Sequence, residues 1–328
     1  MGLYLPANEV RLDFFFGEGA VPLGRSPLLR PPSTRRHVAA NERASAMIEQ
    51  AARPIFDRLH VEPVDNIDLL VTNVLLPDNP ITGSGAEVAA RLGCNPAWVI
   101  DLHNGGCASF PYMLKLTQAL ADAGEVRTAL LCNVQNTAGQ VFAQSDIRVR
   151  SHAVNAGDGC GVAYLRVGEG SPLLGVVVRN SPASAKDMGL DLPDGRKYWE
   201  PGASQVDIHF DQANAEAIIE RGNRLVPSVV REVLDKIGVT PADVDVLITN
   251  QPNRMFLRNW RDELGVPAER HLDTFDELGN LYGAGTPVTL ARAKEAGCLK
   301  PDDLVVIAGF AHAGDFAAAA ALRWAAAA

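Results

Sequence analysis

Asp101-Leu102-His103-Asn104-Gly105-Gly106-Cys107-Ala108-Ser109-Phe110 joins an apolar run, Ala97–Leu102, to an amphipathic run from Phe110 to about Ala123. The pattern predicts a strand, a tight turn and a helix, with a thiol on the first helical turn. A helix N-terminus carries partial positive charge and unpaired N–H groups, which favour a thiolate over a thiol. Paired glycines let a substrate carbonyl approach the backbone closely. Cys107 is therefore the candidate nucleophile, against the default reading of a free cysteine as a small buried hydrophobe.

The chain has 328 residues and is 47% apolar, enough for a large core as one big domain or two fused ones. A net charge of −9 leaves no basic surplus to neutralise phosphates and argues against a nucleic-acid binder. No apolar run reaches the roughly 20 residues that span a bilayer. Met1-Gly2-Leu3-Tyr4-Leu5-Pro6 lacks the basic and apolar regions of a signal peptide, so a soluble cytoplasmic protein is expected. The five cysteines are odd in number, and none forms a CxxC pair, so neither a disulfide framework nor a metal site is expected. Cys94, Cys132, Cys160 and Cys298 are expected to be buried.

Residues 1–38 are rich in Pro, Gly, Phe and Arg and read as irregular. A helix is expected over about Ala40–Leu59, with a kink at Pro54, then a buried strand at Ile67–Asn73. Further strands are expected at Thr128–Val134, Val162–Val167 and Leu174–Val178, and a long helix at about Asn214–Ile237. Ile67-Asp68-Leu69-Leu70-Val71-Thr72-Asn73 then recurs as Val244-Asp245-Val246-Leu247-Ile248-Thr249-Asn250, with Asp68 and Asp245 lying 177 residues apart. The same offset carries Cys107 to Ala284, at another helix start, and Thr128–Val134 roughly onto Asp303–Phe310. Two similar α/β halves are expected, 1–170 and 171–328. Strands alternating with helices predict largely parallel sheets, with functional loops at the strand C-termini facing a shared central site.

These segments resemble the thiolase-fold condensing enzymes, in the ketoacyl-ACP synthase III branch. Asp101–Cys107 looks like that family's nucleophile segment, Asp-Val-Ala-Ala-Ala-Cys, with one residue more. Asn155-Ala156-Gly157-Asp158-Gly159-Cys160-Gly161 looks like its Phe-Gly-Asp-Gly-Ala-Gly turn. Asn250-Gln251-Pro252-Asn253 falls where the family has His-Gln-Ala-Asn. Gly279-Asn280-Leu281-Tyr282-Gly283-Ala284-Gly285-Thr286-Pro287 looks like Gly-Asn-Thr-Ser-Ala-Ala-Ser-Val-Pro. Phe310 to Trp324 looks like the closing loop and final strand, and Arg35-Arg36 like an early Arg-Arg segment. The resemblance spans nearly the whole chain and implies an α/β five-layer αβαβα fold and a homodimer. Relatives usually carry a first strand before Tyr4, where this chain has little room.

The resemblance implies a Cys-His-Asn site, and the chain departs from it. Cys107 and Asn280 are present, but the histidine position holds Asn250, whose amide can donate hydrogen bonds and cannot take a proton at neutral pH. The family's closing glycines become Ala311-His312-Ala313, with Asp315 behind. His312 stands where the related thiolases place a base, and a Cys107–His312–Asp315 set is a general nucleophile–base–orienter arrangement. Each residue also has a plainer reading: a loop histidine for His312, a turn residue for Asp315 and for Asn280 beside Gly279, and a strand end for Asn250. Arg35 and Arg36 are candidates for a coenzyme A phosphate or an acidic carrier protein, or are solvated surface. His103 and His209 are weaker candidates for a second base and for an acceptor pocket. His37, His60, His152 and His271 read as ordinary histidines, and Gly157-Asp158-Gly159 reads as a structural turn. Residues 181–206 read as disorder or a lid, with Tyr198 and Trp199 available for substrate contact.

The pattern implies an acyltransferase of the polyketide and antibiotic type. It would move an acyl group from a carrier-protein or CoA thioester through acyl-Cys107 to a thiol, hydroxyl or amine. No tightly bound cofactor is implied; acyl-CoA or phosphopantetheinyl acyl carrier protein is the substrate, acyl carrier protein and a small-molecule acceptor are the partners. The alternatives are a priming ketosynthase that condenses an acyl starter with malonyl-ACP, and a non-catalytic subunit of a heterodimer, against which Cys107 counts.

Overall fold

Leu69 and Val71 point to one side of their strand and Leu70 to the other, the alternation a buried strand imposes. Val246 and Ile248 against Leu247 repeat the pattern in the second related run. The structure, a computed structural model, describes residues 1–16, 30–192, 194–202, 206–210 and 214–325. The main sheet strands are β1 (Gly2–Tyr4), β2 (Leu69–Val74), β3 (Trp98–Asp101), β4 (Thr128–Gln135), β5 (Gly159–Arg166), β6 (Leu173–Asn180), β7 (Val246–Thr249), β8 (His271–Leu272), β9 (Leu304–Ala311) and β10 (Phe316–Arg323). The first sheet runs β1-β5-β4-β2-β3 and the second β6-β10-β9-β7-β8, the same order with each strand replaced by its counterpart.

The longer helices repeat as well: α1 (Ala44–Leu59), α2 (Gly85–Leu92) and α3 (Ser109–Asp122) in the first half, α4 (Ala215–Lys236), α5 (Arg254–Leu264) and α6 (Gly285–Glu295) in the second. Met47, Ile48 and Ile55 of α1 and Val88 of α2 pack on Leu70, Leu130 and Val162, the outer face of the first sheet. Val226 and Val230 of α4 and Trp260 of α5 pack on Leu247, Val306 and Ala319, the outer face of the second. Phe110 and Met113 of α3 and Leu290 of α6 lie between the inner faces, against Leu131, Ile248 and Ile307. The layers are thus α, β, α, β, α. α1 and α4 continue through Pro54 and Pro227.

Several expectations need correction. Each sheet is mixed: β3, β2 and β4 run parallel, but β5 is antiparallel to β4 and to β1, and the second sheet repeats this. The reversal follows from the connections, since β9 and β10 are joined by a short turn without a crossover helix. Residues 1–38 contain β1, a one-turn helix at Asp13–Phe16, and an antiparallel hairpin of Asn8–Arg11 with Thr34–His37. Within 181–206, Met188–Asp191 pairs with Asp207–Phe210, and Tyr198 and Trp199 stack edge-on against each other in solvent. Part of that stretch, Pro193 and 203–205, lies outside the described residues. Cys298 is exposed and Cys94 half-buried, where burial was expected.

Asp158 ties the first half together. Its carboxylate accepts from the backbone N–H groups of Val38, Ala138 and Gly139 at 2.7–2.9 Å. A Cβ on Gly157 would lie 2.0 Å from the Leu278 carbonyl, so only glycine fits this turn.

Candidate active site

Cys107 lies on a single 3-10 turn, Gly106–Ala108, that leads directly into α3. The turn begins at Gly106 with φ +46°, and its counterpart, Tyr282–Ala284, begins at Tyr282 with the same φ of +46° and leads into α6. The structural counterpart of Cys107 is therefore Gly283, one residue before the Ala284 expected from the offset. A Cβ on Gly283 would meet the Gly106 carbonyl at 2.7 Å, so the two turns abut closely.

Cys107 opens on a cavity of about 270 Å³ between the halves. The first half contributes Asn73, His103 and Cys107, and the second Asn253, Asn280 and His312. Residues of both halves thus line one cavity. Burial pushes the Cys107 thiol up to about 12, while a hydrogen bond from Asn250 and the helix-start N–H act the other way. Desolvation outweighs the helix terminus here, so the resting group is a thiol and not the thiolate expected from the helix start.

The imidazole that faces this turn is His312. Its Nδ1–H donates to Asp315 Oδ1 at 2.8 Å, which leaves Nε2 as the acceptor. A Cβ placed on Gly106 would be 3.1 Å from Nε2, so this nitrogen sits over the residue preceding Cys107. His312 reaches it from a left-handed backbone conformation, φ +52°, in the turn between β9 and β10. Asp315 also accepts from Ser181 N–H through its backbone carbonyl, which anchors the turn.

The two asparagines differ. Asn250 is buried behind the thiol; its Oδ1 accepts from Phe310 N–H and its Nδ2 donates to Phe310 O, both at 3.3 Å. It is not on the cavity wall. Asn280 is: its Oδ1 accepts from Tyr282 N–H at 3.0 Å, the turn role, and its Nδ2 has no acceptor among the described residues. That amide remains available to an oxyanion.

Arg35 is a correction. It has no exposed surface, its Nη2 donates to the carbonyls of Pro32 and Val154, and its guanidinium stacks over Phe15 at 4.7 Å, so it is buried out of reach of a phosphate or a carrier protein. Arg36 pairs with Glu9 at 3.2 Å on the hairpin, away from the cavity wall. His209 is exposed, and its neighbours Ile208 and Phe210 line the cavity instead, because alternate residues of a strand face opposite sides. His103 lies on the cavity wall.

Two wall residues escaped the sequence reading. His152 donates from Nε2 to Asp207 Oδ1 at 2.8 Å, and Arg150 pairs with the other oxygen at 2.7 Å. Tyr282 presents a phenol whose ionisation burial suppresses, with Cys107, Asp158 and Asp207 adding to the effect. Tyr282 was legible as the residue standing where the family pattern has Ser; His152 carried no such signal, since its partner is 55 residues away.

Two sheets of one topology, with a cysteine on the first turn of a central helix, define the thiolase fold. The family model described as 3-oxoacyl-[acyl-carrier-protein (ACP)] synthase III matches residues 100–182, and its C-terminal counterpart matches 234–324. Beta-ketoacyl-[acyl-carrier-protein] synthase III 3 of Streptomyces coelicolor is 31% identical over 265 residues, 79% of this chain and 77% of that protein. The corresponding synthase III of Clostridium perfringens is 28% identical over 320 residues, 94% of this chain and 93% of that protein. The crystal structure of the Pseudomonas aeruginosa 3-oxoacyl-(acyl carrier protein) synthase III superposes with a TM-score of 0.83 at 25% identity, covering 100% of this chain and 97% of that one. The chain belongs to the 3-oxoacyl-(acyl carrier protein) synthase III family.

Among the described residues, no group of three or more His, Cys, Asp or Glu side chains is placed to hold a metal ion, and no helix is long and apolar enough to cross a membrane.

Proposed function

We propose that this protein transfers an acyl group from a CoA or carrier-protein thioester, through a thioester on Cys107, to a thiol, hydroxyl or amine acceptor. The observation that carries the reading is the division of roles between His312 and Asn250. An imidazole held by Asp315 lines the Cys107 cavity, while position 250 holds an amide behind the thiol, which hydrogen-bonds Cys107 and Phe310 but cannot take a proton. The chemistry follows in two steps. His312 Nε2 takes the Cys107 proton as sulfur attacks the donor carbonyl; the donor C–S bond breaks, and the proton leaves on the departing thiol. The acceptor then gives its proton to Nε2 as it attacks the acyl carbon, and Cys107 leaves and recovers that proton. Asn280 Nδ2 and the N–H groups of the Cys107 turn are the candidate donors to the tetrahedral oxyanion.

Condensation is the second reading, and the relatives' names favour it: the matched proteins are named beta-ketoacyl-ACP synthase III. In that reaction the acyl group on Cys107 would pass to the carbanion formed when malonyl-ACP loses carbon dioxide. The same names support an acyl carrier protein as partner. A polyketide or antibiotic pathway rests on the departures at Asn250 and His312 alone. A homodimer is supported by β3, an edge strand that leaves Trp98 and Val99 exposed.

The test is to load the protein with acetyl-CoA, locate the adduct by peptide mass, and add N-acetylcysteamine as a surrogate acceptor. Transfer that depends on His312 supports the proposal. An adduct that N-acetylcysteamine leaves intact and malonyl-ACP discharges with carbon dioxide release supports condensation.

A further inference from the structure

His312 holds a left-handed backbone, φ +52°, a conformation that strains a residue with a side chain and persists only where its surroundings fix it. One side of its turn is held by Ser181, whose N–H donates to the Asp315 carbonyl. The other side is held from α4. Nη1 of Arg221 donates to the carbonyl of Ala313, the residue next to His312, at 2.6 Å. The same nitrogen donates to Asp187 Oδ2 at 2.8 Å, and Asp187 Oδ1 accepts from Asn214 Nδ2 at 3.2 Å. The stem of Arg221 packs on the turn as well, since a Cβ on Gly314 would lie 2.6 Å from Arg221 Cδ. Asp187 in turn precedes Met188, which lines the Cys107 cavity. Arg221 therefore ties the turn that carries His312 to the chain that supplies one wall of the cavity.

A charged donor makes the stronger kind of hydrogen bond, and here one nitrogen serves a carbonyl and a carboxylate together. Arg221 does not line the cavity, so its effect on the reaction runs through the turn it holds. We propose that Arg221 is a positioning residue for His312: by holding the Ala313 carbonyl it keeps the imidazole over Gly106, beside Cys107. The inference rests on the reading that His312 is the base in acyl transfer. Misplacing a reacting group by about 1 Å can cost on the order of 100-fold in rate, even when the substitution lies outside the chemistry.

The experiment is a double-mutant cycle read in acyl transfer from acetyl-CoA to N-acetylcysteamine, with product followed for as long as the slow variants need. Arg221→Met keeps the apolar stem and removes the donor. In the wild-type background it should lower kcat by about 10- to 100-fold, with the KM for acetyl-CoA moving far less. In the His312→Ala background the same substitution should change kcat by less than about twofold, because the ring it positions is gone. Arg221→Lys, which returns a cationic donor near the place of Nη1, should recover most of the loss. An equal loss in both backgrounds would mean support of the fold alone and overturns the inference. Unchanged kcat in Arg221→Met, a loss confined to KM, or a Lys variant as slow as the Met variant also overturns it. If urea unfolding shows that Arg221→Met does not fold, Arg221→Gln takes its place in the cycle with the same outcomes. The base reading is scored separately by His312→Ala alone. Unchanged turnover there overturns that reading together with the inference resting on it, whereas a loss there with no effect of Arg221→Met removes only the positioning role.

Discussion

His312 Nδ1 stands 2.8 Å from Asp315 Oδ1 while the other ring nitrogen lies over Gly106, next to Cys107. Asp315 thus fixes both the tautomer and the direction of the ring. Replacing Asp315 with Asn should leave Cys107 in place but lower acyl-transfer turnover by about 10- to 100-fold, since the ring loses the partner that orients it. His312→Ala should cost more, on the order of 10²–10⁴-fold. Steady-state transfer from acetyl-CoA to N-acetylcysteamine measures both, and unchanged turnover in either variant would refute the role.

The buried thiol makes a prediction of its own. With its ionisation pushed up to about 12 by burial, Cys107 is protonated across the neutral range. Its alkylation by iodoacetamide should keep rising with pH beyond about 9, where an ordinary cysteine of pKa ~8.5 levels off. A plateau between pH 6 and 8 would mean a resting thiolate instead.

Gly106 is committed by both conformation and space. It holds φ +46°, and a Cβ there would come within 2.8 Å of the Ala311 Cβ. Gly106→Ala should destabilise the fold by about 1–3 kcal/mol and abolish acylation, because the turn bearing Cys107 must move away from β9. Urea unfolding together with adduct mass checks this; full acylation at native stability is the contrary result.

Two histidines govern part of the acid response. Burial holds His37 and His271 near about 4, well below the ordinary value. As pH falls, the unfolded chain protonates these rings first, so their contribution is present above about 6.5 and lost on the way down to 4. For each ring this is on the order of 3 kcal/mol. Asp158, pushed up to about 7, acts in the opposite sense, its contribution lost as pH rises through the same range. The clean measurement is therefore a comparison: His271→Gln should flatten the loss of stability between pH 6.5 and 4.5 relative to wild type. Parallel pH profiles would count against a buried neutral His271.

Most of the fold was legible because two periodicities survive in the sequence. The alternation in Leu69–Val74 and Val246–Thr249, and the glycine turns before α3 and α6, locate both sheets and the central helices. Strand direction was not legible, since apolar alternation is the same for parallel and antiparallel neighbours. Nor was the hairpin of Asn8–Arg11 with Thr34–His37, whose residues are mostly polar or charged. At the site, Cys107, His312 and Asp315 could be read from local context because each lies in a turn next to a strong strand. The contribution of His152 depends on Asp207, and the burial of Arg35 on Phe15 and Val154, contacts that no local pattern encodes. The sequence offers Asn250 as a donor, and its position shows that Oδ1 and one amide hydrogen are bonded to Phe310 while the side chain also hydrogen-bonds Cys107.

The fate of the acyl group on Cys107 is the most direct test. Protein carrying a labelled acyl group on Cys107 is divided between malonyl-ACP and N-acetylcysteamine, and carbon dioxide and the adduct mass are followed in each. Acyl transfer predicts loss of the adduct to N-acetylcysteamine, abolished by His312→Ala, with no carbon dioxide from malonyl-ACP. Carbon dioxide released in step with loss of the adduct, in an enzyme indifferent to His312, would contradict it.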